Sequence, residues 1–127
     1  MKSTLTLLAT ILLLAGVALA ELPSATTNEV NQALSSGKPT LINFGLRTCN
    51  VCKKMAPSLV SVDSEYRGRA NILFIDVRTD QAVARKFRVQ MLPTQIFIDA
   101  KGQEVQRHSG FMDKVGMIEG LTLAGIK

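Results

Sequence analysis

Residues 40–66 read TLINFGLRTCNVCKKMAPSLVSVDSEY, and two hydrophobic periods meet inside this stretch. Thr40 to Gly45 holds a brief apolar run (Leu41, Ile42, Phe44) with the length and continuity of a strand buried on both faces. The pattern then changes almost at once. Val51, Met55, Leu59 and Val62 recur at spacings of four, four and three, which places one apolar stripe on a helix from about Asn50 to Tyr66. Pro57 falls inside that helix and is expected to kink it, because its ring blocks the hydrogen bond to Lys53. A buried strand that hands over directly to an amphipathic helix points to an α/β domain.

The flanks repeat this alternation. On the N-terminal side, Thr27 or Asn28 can cap a short helix through Leu34, which Gly37 and Pro39 end. On the C-terminal side, Asn71 to Val77 is a second buried strand, and Thr79 or Asp80 caps a short helix with Val83 and Phe87 one turn apart. Thr94 to Asp99 forms a further strand. A turn through Ala100-Lys101-Gly102 reverses the chain into Glu104 to Ser109, which alternates like an edge strand, so the pair is a hairpin. A last helix from about Met112 to Ala124 carries Val115, Ile118 and Leu121 on one face. Gly116, Gly120 and Gly125 weaken it by about 1 kcal/mol each relative to Ala, so a frayed helix is expected rather than close packing through the glycines. The whole is an α/β domain with a central mixed sheet.

The first twenty residues do not share this pattern. Lys2 opens a short positive segment, Leu5 to Val17 is almost unbroken apolar, and Ala18-Leu19-Ala20 puts small residues at the positions an export peptidase reads. The apolar stretch is shorter than the roughly 20 residues of a spanning helix, so an uncleaved anchor is disfavoured. Residues 1–20 are expected to be a signal peptide cut after Ala20, leaving one domain, residues 21–127, in the periplasm, where oxidised thiols persist.

Composition narrows the chemistry. The chain has 127 residues, 46% of them apolar, enough to close one core and too hydrophobic for disorder. A formal net charge of +5 raises the question of nucleic acid. Its densest basic groups, Lys53/Lys54 and Arg85/Lys86/Arg88, are scattered over helices, and aromatics for base stacking make up only 5%, so no nucleic-acid partner is expected. Two cysteines and one histidine exclude a disulfide-dense scaffold and fall one ligand short of a four-ligand zinc site. No cofactor and no resident metal are expected, and the chain is expected to be a monomer.

The reactive chemistry therefore rests on Cys49-Asn50-Val51-Cys52. Two cysteines three apart at a helix start have Cα atoms about one turn from each other, inside the roughly 4.4–6.8 Å a disulfide tolerates. Their positions are unequal. Cys49, at the first turn, meets unpaired backbone N–H groups and the positive end of the helix dipole, whereas Cys52 lies one turn deeper. The dipole, about 0.3–2 kcal/mol, lowers a thiol by at most about one and a half pH units from about 8.5, which makes Cys49 the nucleophile near neutrality. Arg47 and Lys53 are read as ordinary solvated charges that add little through water. Asn50-Val51 carries no ionisable group that would drive the thiol toward strong-oxidant values, so reduction or exchange is favoured over disulfide donation.

At this point the chain resembles the thioredoxin superfamily, over most of residues 21–127. The likeness lies in Leu41-Ile-Asn-Phe44, Cys49-Asn-Val-Cys52-Lys53, Met55-Ala-Pro57, Phe74-Ile-Asp-Val77, Met91-Leu-Pro-Thr94 and Gly110, in the family's order and spacing. A lone Cys-x-x-Cys is weak; its combination with Pro57 and a Leu-Pro-Thr heading a strand is specific. The resemblance implies a thioredoxin-like fold, a central mixed β-sheet flanked by helices, with the family's first strand reduced or absent because the chain before Thr40 is short. It implies a cis peptide at Pro93 facing the cysteines. It also implies that Leu92 and Pro93 bind substrate, Leu92 offering its backbone N–H and C=O to an extended target segment. Three positions depart from ordinary thioredoxin: Thr48 replaces a tryptophan, Asn50-Val51 replaces Gly-Pro, and Asn43 replaces a buried carboxylate, and an amide cannot serve as a base.

The function implied is an exported thioredoxin-like protein-disulfide oxidoreductase with catalytic Cys49 and Cys52. It is expected to reduce or exchange disulfides of extracytoplasmic proteins and to draw electrons from a membrane thiol-reducing partner. Two other readings use the same residues. A purely structural disulfide in so small a loop contributes only about 2 kcal/mol. A copper-binding or copper-delivery protein would pair the two cysteines with Met91 or Met55, sulfur ligands suited to soft Cu(I), and with His108, though Met55 on the helix stripe is read as core and His108 as a surface residue.

Overall fold

The structure, a computed structural model, describes residues 21–127; the segment on which the export reading rests lies outside the described residues. Four strands and four helices alternate: α1 Thr27–Leu34, β1 Thr40–Gly45, α2 Asn50–Glu65, β2 Asn71–Asp76, α3 Gln81–Lys86, β3 Thr94–Ile98, β4 Glu104–Ser109 and α4 Lys114–Leu123. The sheet order is β2-β1-β3-β4. β1 runs parallel to β2 through the α2 crossover and antiparallel to β3, which pairs antiparallel with β4 in the expected hairpin. The expected mixed sheet flanked by helices is what forms. The reduced first strand survives as one parallel bridge, Ser24 to Phe74, with the Ala25 N–H donating to the Phe74 carbonyl at 2.7 Å.

Alternation along the strands divides the interior. Leu41, Ile72 and Phe97 face α2 and α4, where they meet Met55, Leu59, Val62, Met117 and Leu121. Ile42, Phe44, Ile75, Ile96 and Ile98 face the other way, against Val30 of α1 and Val83 of α3. β1 is buried along its whole length, as its unbroken apolar run requires. Each of these large side chains contributes about 1.5–3 kcal/mol by leaving water.

Several local readings change. The N-cap of α1 is Thr26, one or two residues earlier than expected, because Glu29 reaches back to the Thr26 N–H while the Thr26 hydroxyl accepts from Glu29 N, a reciprocal capping box. Of the two candidates at α3, Asp80 is the cap, accepting from Val83 N at 3.1 Å. Val51 is not in the buried stripe of α2: it is 40% exposed, and Cys52 takes its place beside Met55, Leu59 and Val62. α4 begins at Lys114 rather than Met112, because Asp113 caps it by accepting from Gly116 N at 2.8 Å.

The buried face of α4 is the expected one only in part: Leu121 is buried and Ile118 half-buried as read, but Val115 is not. Met117, Gly120 and Leu121 point inward, while Val115 is 62% exposed. Gly120 explains the phase. A Cβ there would lie 2.3 Å from the ring of Phe97, itself fully buried, so the helix sits against β3 only because that position is bare. The glycine permits close packing, where fraying was expected.

Helix propensity and packing therefore pull Gly120→Ala in opposite directions. Propensity alone would stabilise by about 1 kcal/mol, whereas forcing a methyl into a filled core costs typically about 1–3 kcal/mol or more. The expected outcome is a lower urea midpoint for Gly120→Ala; a raised midpoint restores the frayed-helix reading.

Candidate active site

β1 ends at Gly45, whose carbonyl accepts from Val77 N at 3.0 Å, and the chain turns through residues 46–48 into α2. The Lys53 N–H donates to the Cys49 carbonyl at 3.0 Å, the first bond of the helix, so Cys49 is its N-cap. Ser, Thr, Asp or Asn usually occupies such a position, with an oxygen accepting from the first turn. Here a sulfur does so: Cys49 Sγ accepts from Cys52 N at 3.3 Å. Cys49 is half-buried and Cys52 buried, and both are free thiols.

Burial makes the pair unequal, in the expected direction. The hydrogen bond from the Cys52 thiol is the largest influence lowering the Cys49 thiol below its ordinary range. Partial burial works against it, and the backbone N–H groups of Cys52 and Val51 work with it. The helix end thus acts as expected but ranks behind the neighbouring thiol. Cys52 is pushed up to about 11, first by burial and then by its role as donor to Cys49.

Gly45 lets Cys52 settle there. A Cβ on residue 45 would stand 3.0 Å from Cys52 Sγ and 3.2 Å from the Phe74 ring. The reading of the sequence missed this contact. Its one available signal was a glycine closing an otherwise apolar strand, a common mark of close approach by another group.

Sheet register brings a second segment to the same end. Phe44 pairs with Thr94, so the turn before β3 emerges beside Gly45 and the loop carrying Cys49. The Leu92-Pro93 peptide is cis, as the resemblance implied, and Pro93 is buried while Leu92 is half-buried. Thr94 Oγ1 donates to the Met91 carbonyl at 2.6 Å and Gly110 N to the Pro93 carbonyl at 2.8 Å, which ties this turn to the loop after β4.

Asn43 lies one alternation behind Gly45 on the α2 face and is fully buried. Its Oδ1 accepts from Gln95 Nε2 at 3.0 Å, and the same Nε2 reaches the Gly110 carbonyl at 3.2 Å and Met55 Sδ at 3.7 Å. Asn43 Nδ2 and Gln95 Oε1 find no protein partner. Where a thioredoxin carries a proton acceptor, this protein carries a neutral amide pair. Gln95, a polar residue in a fully buried strand, was legible as an anomaly but went unread.

Arg47 departs from the solvated charge expected of it. Its guanidinium pairs with Glu21 at 3.1 Å, donates to the Leu22 carbonyl, and lies 4.3 Å from the centre of the Phe74 ring. It therefore holds residues 21 and 22 beside Cys52, along a narrow cleft that both segments line. Lys53 is exposed, as expected. Of the other residues weighed for copper, Met55 is fully buried against Gln95, Met91 is largely exposed, and His108 Nε2 lies 3.0 Å from the Phe111 carbonyl.

A mixed four-stranded sheet with two unequal thiols at the mouth of the helix after its central strand, and a cis-proline turn at the same end, defines a thioredoxin-like domain. The chain belongs to the thioredoxin-like family, whose Thioredoxin-like domain matches residues 27–121. It is 37% identical over 79 residues to the thioredoxin of Staphylococcus saprophyticus, covering 62% of this chain and 75% of that protein. It is 37% identical over 89 residues to the bifunctional thioredoxin reductase/thioredoxin of Mycobacterium leprae, covering 70% of this chain and 19% of that protein. It is 33% identical over 91 residues to the chloroplastic thioredoxin-like protein HCF164 of Oryza sativa, covering 70% and 34%. The chain thus spans about a fifth and a third of the last two. Among solved structures, chloroplastic thioredoxin z superposes with a TM-score of 0.70 over 82% of this chain and 94% of that one, at 24% identity, a likeness of fold. Thioredoxin of Fasciola hepatica gives 0.67 over 77% and 93%, at 26% identity.

The inequality of the thiols has a direct readout. In reduced protein titrated with iodoacetamide, Cys49 is expected to alkylate with a midpoint below the ordinary thiol range, and Cys52 to stay unreactive until pH approaches 11. Cys52→Ala removes the main cause of the depression and should move the Cys49 midpoint up. Equal reactivity of the two thiols at pH 7, mapped by peptide mass spectrometry, contradicts the assignment.

Proposed function

We propose that this protein is an exported thiol-disulfide oxidoreductase that reduces or exchanges disulfides in extracytoplasmic proteins. The observation that carries the reading is the pair of cysteines at the mouth of α2, one accessible and acidified, the other buried and held protonated. A structural disulfide gains nothing from that difference, whereas ordered exchange depends on it.

The Cys49 thiolate attacks one sulfur of a target disulfide, and the other target sulfur leaves as a thiolate that takes a proton from solvent. A mixed disulfide now joins Cys49 to the target. Cys52 then gives up its proton and attacks Cys49 Sγ, the Cys49–Cys52 bond forms, and the second target sulfur departs. The target gains two electrons and the protein loses two. Leu92 offers its backbone to align an extended target segment, and Pro93, with no N–H, shapes the turn that presents it. Asn43 accepts no proton, so the proton of Cys52 passes to solvent or to the departing thiolate, and the second step is the slower one. A membrane protein carrying a reduced dithiol restores the resting state.

Export rests on the positive, apolar and small-residue segments of residues 1–20. Among the described residues, no helix is long and apolar enough to cross a membrane.

Reduction of insulin disulfides in metal-free buffer tests the reading. Cys49→Ser is expected to abolish turnover, and Cys52→Ser to accumulate mixed disulfides with exported proteins, which names the substrates. In the wild-type protein, resolution of the mixed disulfide should accelerate as pH rises above 7, because burial, the first cause that keeps the Cys52 thiol protonated, persists when Cys49 is bonded to the target. Binding of Cu(I) without turnover of any disulfide would replace this function with copper delivery.

A further inference from the structure

The narrow cleft on the flank of Cys52 leaves about 10 Å³ for water, close to the least that a single molecule needs. One of its walls is α2, and the other is the N-terminal segment at Glu21 and Leu22. That second wall is fastened from one residue. Among the described residues, every hydrogen bond that reaches residues 21 and 22 comes from Arg47, one to the Glu21 carboxylate at 3.1 Å and one to the Leu22 carbonyl. Bonding two groups at once suits the planar fork of arginine, which lysine does not reproduce. Arg47 is seated in turn on the Phe74 ring, and its backbone N–H donates to Asp76 Oδ2 at 3.4 Å. Leu22 adds apolar packing against the cluster that holds Leu59 and Ile72.

Charge near Cys52 is balanced or turned away. Glu21 is paired with Arg47, Lys53 is exposed, Asn43 is neutral, and Asp76 gives its two oxygens to the backbone N–H groups of Arg47 and Arg78. Burial is accordingly the first cause that keeps the Cys52 thiol protonated.

We propose that Arg47 is a positioning residue for the second step of exchange: it clamps residues 21 and 22 over the flank of Cys52, holds the cleft to about one water and lengthens the life of the mixed disulfide. The proposal rests on the oxidoreductase reading and deepens it. While the mixed disulfide persists, a second thiolate of the target attacks the target sulfur bonded to Cys49. A new disulfide forms within the target, and Cys49 departs as a thiolate. No net electrons move, so the clamp favours rearrangement of target disulfides over their reduction.

Glu21→Gln combined with Arg47→Gln removes the clamp without changing net charge. Two quantities are read: the alkylation midpoint of Cys52 in reduced protein, and the ratio of rearranged to reduced product from ribonuclease with scrambled disulfides. Opening the cleft should lower the Cys52 midpoint by about one pH unit, roughly tenfold more thiolate at a given pH, and lower the product ratio several-fold. Arg47→Lys keeps the charge but not the fork, and should move both quantities the same way by less; it carries the test if the double variant fails to fold. Asp63→Asn with Arg67→Gln, the same neutral change on an exposed ion pair at the far end of α2, should move neither. An unchanged midpoint or an unchanged ratio overturns the clamp, as does an equal shift in the control pair, and a lowered unfolding midpoint alone marks Arg47 as purely structural. Failure of the wild type to reduce or rearrange any disulfide overturns the oxidoreductase reading instead.

Discussion

The contact on which the rest of the site depends is the one that Cys49 Sγ accepts from the Cys52 N–H at 3.3 Å, with the neighbouring Cys52 thiol as the main influence holding the Cys49 thiol low. A helix must satisfy the N–H groups of its first turn, and here the group that satisfies one of them is also the nucleophile of the proposed exchange. The stabilised state of that cap is the thiolate, because an anion accepts better than a neutral thiol. Structural need and reactivity thus coincide in one atom. Gly45 favours the arrangement, since a Cβ at that position would crowd Cys52 Sγ at 3.0 Å and the Phe74 ring at 3.2 Å.

Sheet register does the remaining assembly. Because β1 pairs antiparallel with β3, the C-terminal end of one strand lies beside the N-terminal end of the other, and the dithiol meets the Leu92-Pro93 turn without any long-range loop. Behind them the Asn43–Gln95 pair replaces a titratable group with a neutral one. Leaving Asn43 Nδ2 and Gln95 Oε1 without protein partners costs about 1–3 kcal/mol each unless water reaches them. In exchange, position 43 places no charge that needs compensation behind Cys52, and burial holds that thiol in its protonated form.

The lost first strand is replaced by a shorter device. An uncovered edge at β2 would invite pairing with another chain. The Ser24–Phe74 bridge covers part of it, Ser24 Oγ accepts from Asp76 N at 2.9 Å, and Arg47 holds Glu21 and Leu22 in place from the site side. Arg47 therefore links the N-terminal segment to the flank of Cys52 through the ring of Phe74.

Much of this was legible in the chain. Continuous apolar runs marked β1, β2 and β3, because a strand covered on both faces has no polar side to show, and alternation marked β4. The spacing of Cys49 and Cys52 at a strand-to-helix junction located the site and ranked its thiols, since helix geometry alone makes the first residue of a turn more exposed to the dipole than the fourth. The tertiary structure decided the rest. Periodicity shows that a helix has an apolar face but not how that face is rotated against the sheet, so Val51 gave way to Cys52, and Val115 to Met117 and Gly120. Those choices turn on contacts distant in sequence: Gly45 with Cys52, Gly120 with Phe97, Arg47 with Phe74, Gln95 with Asn43. A side chain's partners across the fold are set by packing in three dimensions, and local sequence carries no record of that distance.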